Sequence, residues 1–476
     1  MTWPAVLFWL LIIVSVFRRG PILLYVFLAA GSFGSLQMVP GEAVGGANLL
    51  PQSVVAVFFI GKTLLQDDHP TRALNAALDP AQLGLLFMFL AYGFLSAYAM
   101  PRLFMHSVPV IPINVQLPWP VLLEPSAANI TQPAYMALSV GMALAITLMA
   151  RRPDFRQHYL LASLLGGAVV IATGLVDMAL SSVGLADLLE PFRNATYGLM
   201  LDVEVVGGRR RVVGLMPEAS AYGAICIGAA ANLAFLRPCY QDALRRRVAP
   251  AIILGLIVMG VLSTSSTAYV GIAFFAIVFA ANWVRRSLDP RAPGREELKW
   301  EAFAAFSAAF AILIVVTLSP ALLDPVYEML DSIIFKKTES ESYVERSMWT
   351  RVGMEAFFAT KGLGVGLGSD RTSNWFVAIL SNTGAIGAGL LGLFIVRLFL
   401  LRRPADPYAA EYLTALKFSL LPGFIMASLA GTTPDIGVGV GATFGMMLGL
   451  AARKPALPLP TGSPPYSHRA RAGPRS

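Results

Sequence analysis

Long runs of apolar residues recur along the whole chain, separated by short polar or basic connections. A helix of about 20 apolar residues can cross the hydrocarbon core of a bilayer. The pattern therefore predicts twelve or thirteen membrane spans, since the first and third runs are short. The thirteen predicted spans are residues 3–17, 21–39, 50–66, 81–100, 133–150, 158–180, 215–236, 248–263, 267–284, 300–319, 373–396, 412–430 and 435–452.

Composition supports a membrane protein. Of the 476 residues, 56% are hydrophobic and 13% are charged, whereas about a quarter are charged in soluble domains. These values exclude a soluble enzyme, a disordered chain and a disulfide-rich scaffold. We expect an all-α polytopic protein in which residues 1–452 form a single membrane domain. The Pro- and Arg-rich residues 453–476 are expected to be a disordered cytoplasmic tail.

Basic residues are distributed unevenly between the two alternating sets of connections. One set carries 23 of the 36 Lys and Arg residues and the other set carries 11. Because cytoplasmic connections are enriched in Lys and Arg, this asymmetry predicts an external N-terminus and a cytoplasmic C-terminus. The net charge of +8 is thus a topology signal, and no nucleic-acid partner is expected.

Three long external loops are predicted at residues 101–132, 181–214 and 320–372, and the last two contain ten of the eleven external basic residues. In the second loop, Gly207-Gly208 lies between valine-rich arms and predicts a β-hairpin over residues 201–213. The hairpin is either a solvated element with cross-strand charge pairs or a basic functional site formed by Arg209, Arg210 and Arg211.

Glu218 follows this loop, at the start of the seventh predicted span. Pro217 suits the first turn of a helix, and Ser220 would lie in the same turn. A carboxylate about one turn inside the outer leaflet is costly unless it is paired or faces a cavity. Glu218 is therefore either a functional group or the partner of a hairpin arginine.

In the third loop, residues 341–360 are predicted to form a helix with Ser340 as N-cap and Gly362 as the terminating glycine. This helix carries Arg346 and Arg351, and an ordinary surface ion pair between Arg351 and Glu355 is the alternative to a functional role.

A glycine-rich segment with Gly362, Gly364 and Gly366 then leads to Arg371, and the next helix is predicted to begin near residues 372–373. Backbone amides, a helix N-terminus and an arginine together predict an anion site.

The chain has two cysteines and four scattered histidines, none at metal-ligand spacing. We therefore expect neither a metal nor a cofactor.

Four motifs in order resemble segments of the bacterial O-antigen polymerase and O-antigen ligase superfamily. They are Leu-Met-Pro-Glu-Ala-Ser-Ala-Tyr at 215–222, the Ser/Thr-rich turn at 263–271, an arginine and a glycine separated by ten residues at Arg351 and Gly362, and the glycine-rich stretch at 364–368 followed by residues 374–387. The resemblance covers roughly residues 200–390.

This resemblance implies a multi-pass protein of the bacterial inner membrane that polymerises oligosaccharide repeat units linked to undecaprenyl pyrophosphate. Glu218 and Arg351 would be catalytic. Pyrophosphate and glycan would be bound by Arg209, Arg210, Arg211, Arg346, Gly362, Gly364, Gly366 and Arg371. Besides the lipid-linked oligosaccharide and the bilayer, a chain-length regulator and a flippase are implied as partners.

The chain also departs from the family pattern. Ser373-Asn374 occupies the place of the His-Asn pair typical of ligases, and Ser266-Thr267 stands where the central turn often has an arginine after serine. The missing histidine favours a polymerase over a ligase that transfers glycan to lipid A or protein. A non-enzymatic transporter of the same lipid-linked sugar is the alternative from another class, and it would be expected to place its charges near the membrane midplane.

Overall fold

The computed structural model describes residues 1–44, 47–66, 68–113, 119–196, 210–290, 295–318 and 341–452. These residues are mainly α-helical, with one antiparallel pair of two-residue strands, β1 (Pro109–Val110) and β2 (Val121–Leu122), which confirms the predicted fold class. The helices are α1 (Trp3–Phe17), α2 (Ile22–Ala30), α3 (Pro51–Leu64), α4 (His69–Leu78), α5 (Gly84–Leu103), α6 (Ala128–Met149), α7 (Pro153–Ser182), α8 (Ala219–Leu236), α9 (Ala243–Leu262), α10 (Ser266–Leu288), α11 (Leu298–Leu318), α12 (Glu341–Ala359), α13 (Trp375–Phe399), α14 (Pro407–Ala430) and α15 (Val438–Ala451).

Each of the thirteen predicted spans overlaps one of these helices. Among the described residues, seven helices are long and apolar enough to cross a membrane, namely α5, α6, α7, α8, α10, α13 and α14. The apolar helices α1, α3 and α15 are shorter. The chain is therefore a multi-pass membrane protein by helix length and composition.

The second predicted span is wrong in length, because α2 ends at Ala30 and not at residue 39. The segment that follows packs against the turn that precedes α8: the Ser35 amide donates to the Leu215 carbonyl at 3.0 Å. A Cβ on Gly34 would lie 2.8 Å from the sulfur of Met216, so a larger residue would require the Met216 side chain to shift. Pairing with a distant segment thus replaces the helix that hydropathy alone predicts.

Helix α8 lies at the centre of the bundle, against α7, α9, α10 and α14. It is apolar on all sides, as expected for a helix that is surrounded by other helices. The closest helix approach is between α6 and α15, where a Cβ on Gly441 or Gly445 would lie 2.3 Å from a carbonyl oxygen of α6. Small residues at such a contact allow the helix backbones to pack directly.

Connections between the helices are gathered at two ends of the bundle. At one end, which we call the loop end, the Arg371 amide donates to the Ile111 carbonyl at 2.7 Å and the Thr372 amide donates to the Thr432 carbonyl at 3.3 Å. The described parts of all three long loops lie at this end. The predicted assignment of the loop end to the cell exterior remains a prediction.

Some sequence predictions fall on residues outside the described parts of the chain. These are the hairpin turn Gly207-Gly208, Arg209, the Ser340 cap and the tail 453–476. Helix α12 agrees closely with the predicted helix at 341–360. Helix α13 begins at Trp375, two residues after the predicted start, because Asn374 serves as its N-cap.

Candidate functional site

Glu218 is the N-cap residue of α8, so Pro217 precedes the helix and does not lie in its first turn as predicted. The Glu218 side chain makes two contacts. Its Oε1 accepts a hydrogen bond from the Ser220 hydroxyl, and its Oε2 lies 3.3 Å from Nη2 of Arg346. The partial positive charge at the helix N-terminus also favours a carboxylate here. Among the described residues, the ion-pair partner of Glu218 is therefore on α12.

Arg346 lies on the face of α12 that packs against the protein, in line with the buried side chains of Trp349 and Val352. Arg351 lies on the opposite face. Its side chain is 72% exposed, and its Nε lies 3.9 Å from Glu355 Oε1. Residues five positions apart on a helix differ by roughly 140° in direction. The structure thus places Arg346 beside Glu218 and leaves Arg351 at the surface.

Arg371 reaches the same place from the loop that follows α12. Its guanidinium group stacks 4.1 Å above the ring of Trp349, and its backbone is fixed by the hydrogen bond to Ile111. Burial lowers the pKa of Arg371, while the charges of Glu218 and Glu345 raise it. Arginine nevertheless stays protonated, because its ordinary pKa is above 12.

Arg211 lies near Glu218 and is held by Thr264, in the turn between α9 and α10. It donates to the Thr264 carbonyl at 2.9 Å through Nη2 and to the Thr264 hydroxyl at 3.2 Å through Nε. Burial lowers its pKa, Glu218 raises it and Arg346 lowers it, which shows that the three charges are near one another. Arg210, in contrast, donates to the Ser181 hydroxyl at 2.8 Å.

We call Glu218, Arg211, Arg346 and Arg371 the glutamate–arginine cluster. Arg346 contacts Glu218, Arg211 and Arg371 lie close enough to interact electrostatically with that pair, and the side chains of Glu218 and Arg346 are 31% and 27% exposed. Such a group can bind a polyanion through the arginines and accept a proton through the carboxylate. The cluster unites four of the predicted site residues from three separate parts of the chain.

Sequence reasoning missed the ion pair between Asp177 and Arg193, which holds the segment after Arg211. Asp177, near the end of α7, accepts from Arg193 at 2.7 Å and from the backbone amides of Val213 and Gly214 at 3.0 Å each. Arg193 also donates to the Gly214 carbonyl. Both side chains are buried, at 3% and 6% exposure. A lone aspartate in an apolar span was the available signal, since such charges are costly without a role.

The glycine-rich segment has a packing role in this structure. The amides of Gly362, Gly364 and Gly366 donate to Phe357, Thr360 and Asn382, respectively. A Cβ on Gly364 would lie 2.6 Å from the amide nitrogen of Gly384, at the kink of α13. These amides are occupied by protein acceptors, so they do not form the phosphate cradle that the sequence suggests.

The N-terminus of α13 is likewise occupied. Oδ1 of Asn374 accepts from the amides of Phe376 at 3.0 Å and Val377 at 3.2 Å. A side-chain cap satisfies donors that an anion would otherwise use. Of the predicted anion site, Arg371 alone joins the cluster, and Ser373 is 6% exposed.

Asp370 is a second group that sequence reasoning missed. It is fully buried, its Oδ1 accepts from the Ile111 amide at 3.0 Å, and its Oδ2 has no hydrogen-bond partner in the described parts of the chain. Burial raises the pKa of Asp370 to about 7, although the Ile111 hydrogen bond lowers it. Asp370 thus joins the first long loop to the third, one residue before Arg371.

Within the described residues, no group of three or more His, Cys, Asp or Glu side chains is arranged to hold a metal ion. No family model matches the chain, and no curated protein matches it at a significant level. The superfamily resemblance therefore remains an expectation from short motifs.

Proposed function

We propose that the chain is a metal-independent glycosyltransferase that polymerises lipid-linked polysaccharide repeat units. It would transfer a glycan from undecaprenyl pyrophosphate to a sugar hydroxyl, with inversion at the anomeric carbon. The observation that carries the proposal is the glutamate–arginine cluster, with Arg346 at 3.3 Å from Glu218 and two further arginines around them. Pyrophosphate is a polyanion that arginine can bind bidentately.

The cluster supplies the groups that such a transfer needs. The acceptor oxygen forms a bond to the anomeric carbon as the bond from that carbon to the pyrophosphate oxygen breaks, and the leaving group takes the electron pair. Arg211, Arg346 and Arg371 would stabilise the growing negative charge. The proton of the acceptor hydroxyl would pass to Glu218. Binding of pyrophosphate gives Arg346 a new partner, which releases Glu218 to act as the base.

We further propose that the protein lies in a bacterial inner membrane with the loop end outside, where lipid-linked repeat units would be joined. Single cysteines at Ser107, at the loop end, and at Arg402, at the other end, test this orientation because both positions are exposed. The native cysteines, Cys226 and Cys239, are buried and give a low background. An impermeant maleimide should label the first site in intact cells and spare the second, and the reverse pattern would overturn the orientation.

The function itself is tested by giving the purified protein one synthetic pyrophosphate-linked repeat unit. A ladder of products indicates a polymerase. A single transfer to an added lipid A or protein acceptor would indicate the ligase alternative. No covalent product, together with movement of the intact substrate across proteoliposome membranes, would indicate a transporter.

A further inference from the structure

A cavity of about 650 Å³ lies inside the helix bundle, separate from the residues of the cluster. It is lined by α2, α3, α6, α7, α8, α14, α15, the start of α13 and the connection between α14 and α15. Its volume is in the range of small-molecule binding sites. Helix-lining glycines provide part of the space, because a Cβ on Gly228 or Gly423 would meet no atom within 4 Å.

The two parts of the cavity differ in polarity. At the loop end, the lining includes Gln52, Tyr135, Trp375, Thr432 and Asp435. Further into the bundle, apolar side chains such as Val170, Leu420 and Phe444 line the cavity together with Ser163 and Asn232. An amphipathic ligand fits this mixed lining.

Several polar side chains face the cavity. Asp435 is buried, with the Ser139 hydroxyl and the amides of Ile436 and Gly437 as neighbours of its carboxyl group. Gln52 and Asn232 are half-buried lining residues. Carboxyl and amide groups form hydrogen bonds, so they can bind a hydroxylated ligand or ordered water.

The chemistry of these groups favours a neutral, hydroxylated ligand. No Lys, Arg or His is among the described lining residues, and Asp435 is the acidic residue among them, so a phosphate would be repelled. Asp435 can accept hydrogen bonds from the hydroxyl groups of such a ligand. Amides and hydroxyls bind sugar hydroxyls, and aromatic rings such as Tyr135 and Trp375 pack on the apolar faces of sugar rings.

The cavity and the cluster share two structural elements. Ile225, a lining residue, is two helical turns below Glu218 on α8, and Trp375 follows Arg371 by four residues. We propose that the cavity binds the sugar of an amphipathic glycolipid, with its hydroxyls at Asp435 and Gln52 and its apolar part against Leu420 and Phe444. If the chain is the polymerase proposed above, this cavity is the acceptor site and the cluster is the pyrophosphate site.

The test measures equilibrium binding of radiolabelled octyl β-D-glucoside, below its micelle concentration, to the full chain in nanodiscs, with empty nanodiscs subtracted. We expect saturable binding of about one molecule per chain, with octanol and octyl phosphate competing at least ten-fold less well. Asp435→Ala should weaken binding ten-fold or more. Gly423→Leu, which fills the cavity, should abolish it, whereas Gly389→Leu is the matched control because that site is open and lies outside the cavity.

The proposal fails if binding is not saturable, if octanol or octyl phosphate competes as well as the glucoside, or if Gly423→Leu binds normally. Should Asp435→Ala not fold, the competition series and the Gly423→Leu variant still decide the matter. The assay includes no turnover. A wild-type protein that binds the glucoside but makes no polymer would contradict the proposed function alone, and a polymerase without glucoside binding would contradict this inference alone.

Discussion

The two ends of the bundle use the same side chains differently. At the end opposite the loops, Arg286 is 2% exposed and pairs with Glu301, which also lies 3.7 Å from Arg237. Arg285 lies 3.1 Å from Glu411, whose side chain is 6% exposed. In the cluster at the loop end, the ion pair between Arg346 and Glu218 is about one-third exposed and two more arginines face it. Buried, matched charges join helices, whereas a partly exposed excess of cations is available to a ligand.

The largest effect on stability is expected from breaking the buried network. Glu301→Leu removes the carboxylate of Arg286 and leaves a buried guanidinium group without that partner, which should lower the free energy of unfolding by about 3–5 kcal/mol. Asp154→Leu, which breaks the exposed pair with Arg152, should change it by about 0–1 kcal/mol. Denaturant unfolding in detergent measures both values, and equal effects would contradict the distinction.

At the loop end, the expected effect is on rate and not on stability. Arg346→Lys keeps the charge but loses the bidentate fork, so it should lower kcat by about 10²–10³-fold with little change in melting temperature. Arg351→Lys is the matched control, because Arg351 lies on the same helix but faces solvent. Rates of repeat-unit transfer measured for both variants decide which arginine acts. A low transfer rate for Arg351→Lys together with a wild-type rate for Arg346→Lys would support the catalytic role that the sequence predicts for Arg351.

A pH-dependent effect on stability is expected at Asp370. Its folded-state pKa of about 7 lies above the ordinary value of 3.8, so the fold favours the protonated acid. Stability should therefore be full below pH 4, decrease as the pH rises to about 7 and then level off, with a slope of at most about 1.4 kcal/mol per pH unit. Asp370→Asn should abolish this dependence. A difference between variant and wild type that does not change with pH would contradict it.

Helices could be predicted from the sequence because the apolar runs are long, and each predicted span overlaps a helix. The end of α2 could not be predicted, because it depends on the hydrogen bond between Ser35 and Leu215, which are distant in the chain. The same reason explains the site. Glu218 and Arg346 were both candidates, but their contact spans 128 positions. The choice between Arg346 and Arg351 depends on which face of α12 packs inward, and spacing alone does not define that face.

The glycine-rich segment shows the limit of motif reasoning. Positive φ angles at Gly364 and Gly366 are real requirements, but they allow close packing against α13 and α5 and not contact with an anion. Glycine spacing is equally compatible with both uses. The hydrogen-bond partners of the amides distinguish them, and these partners are known only from the fold.

Transfer at the glutamate–arginine cluster is tested by assaying Glu218→Gln with a single synthetic repeat unit and looking for a product ladder. Glutamine keeps the size of the side chain but removes its charge and basicity. We expect the variant to fold with a normal melting temperature and to bind the donor normally, but to make no polymer. A ladder formed at the wild-type rate, or a variant that fails to fold because the pair with Arg346 is structural, would contradict a catalytic role for Glu218.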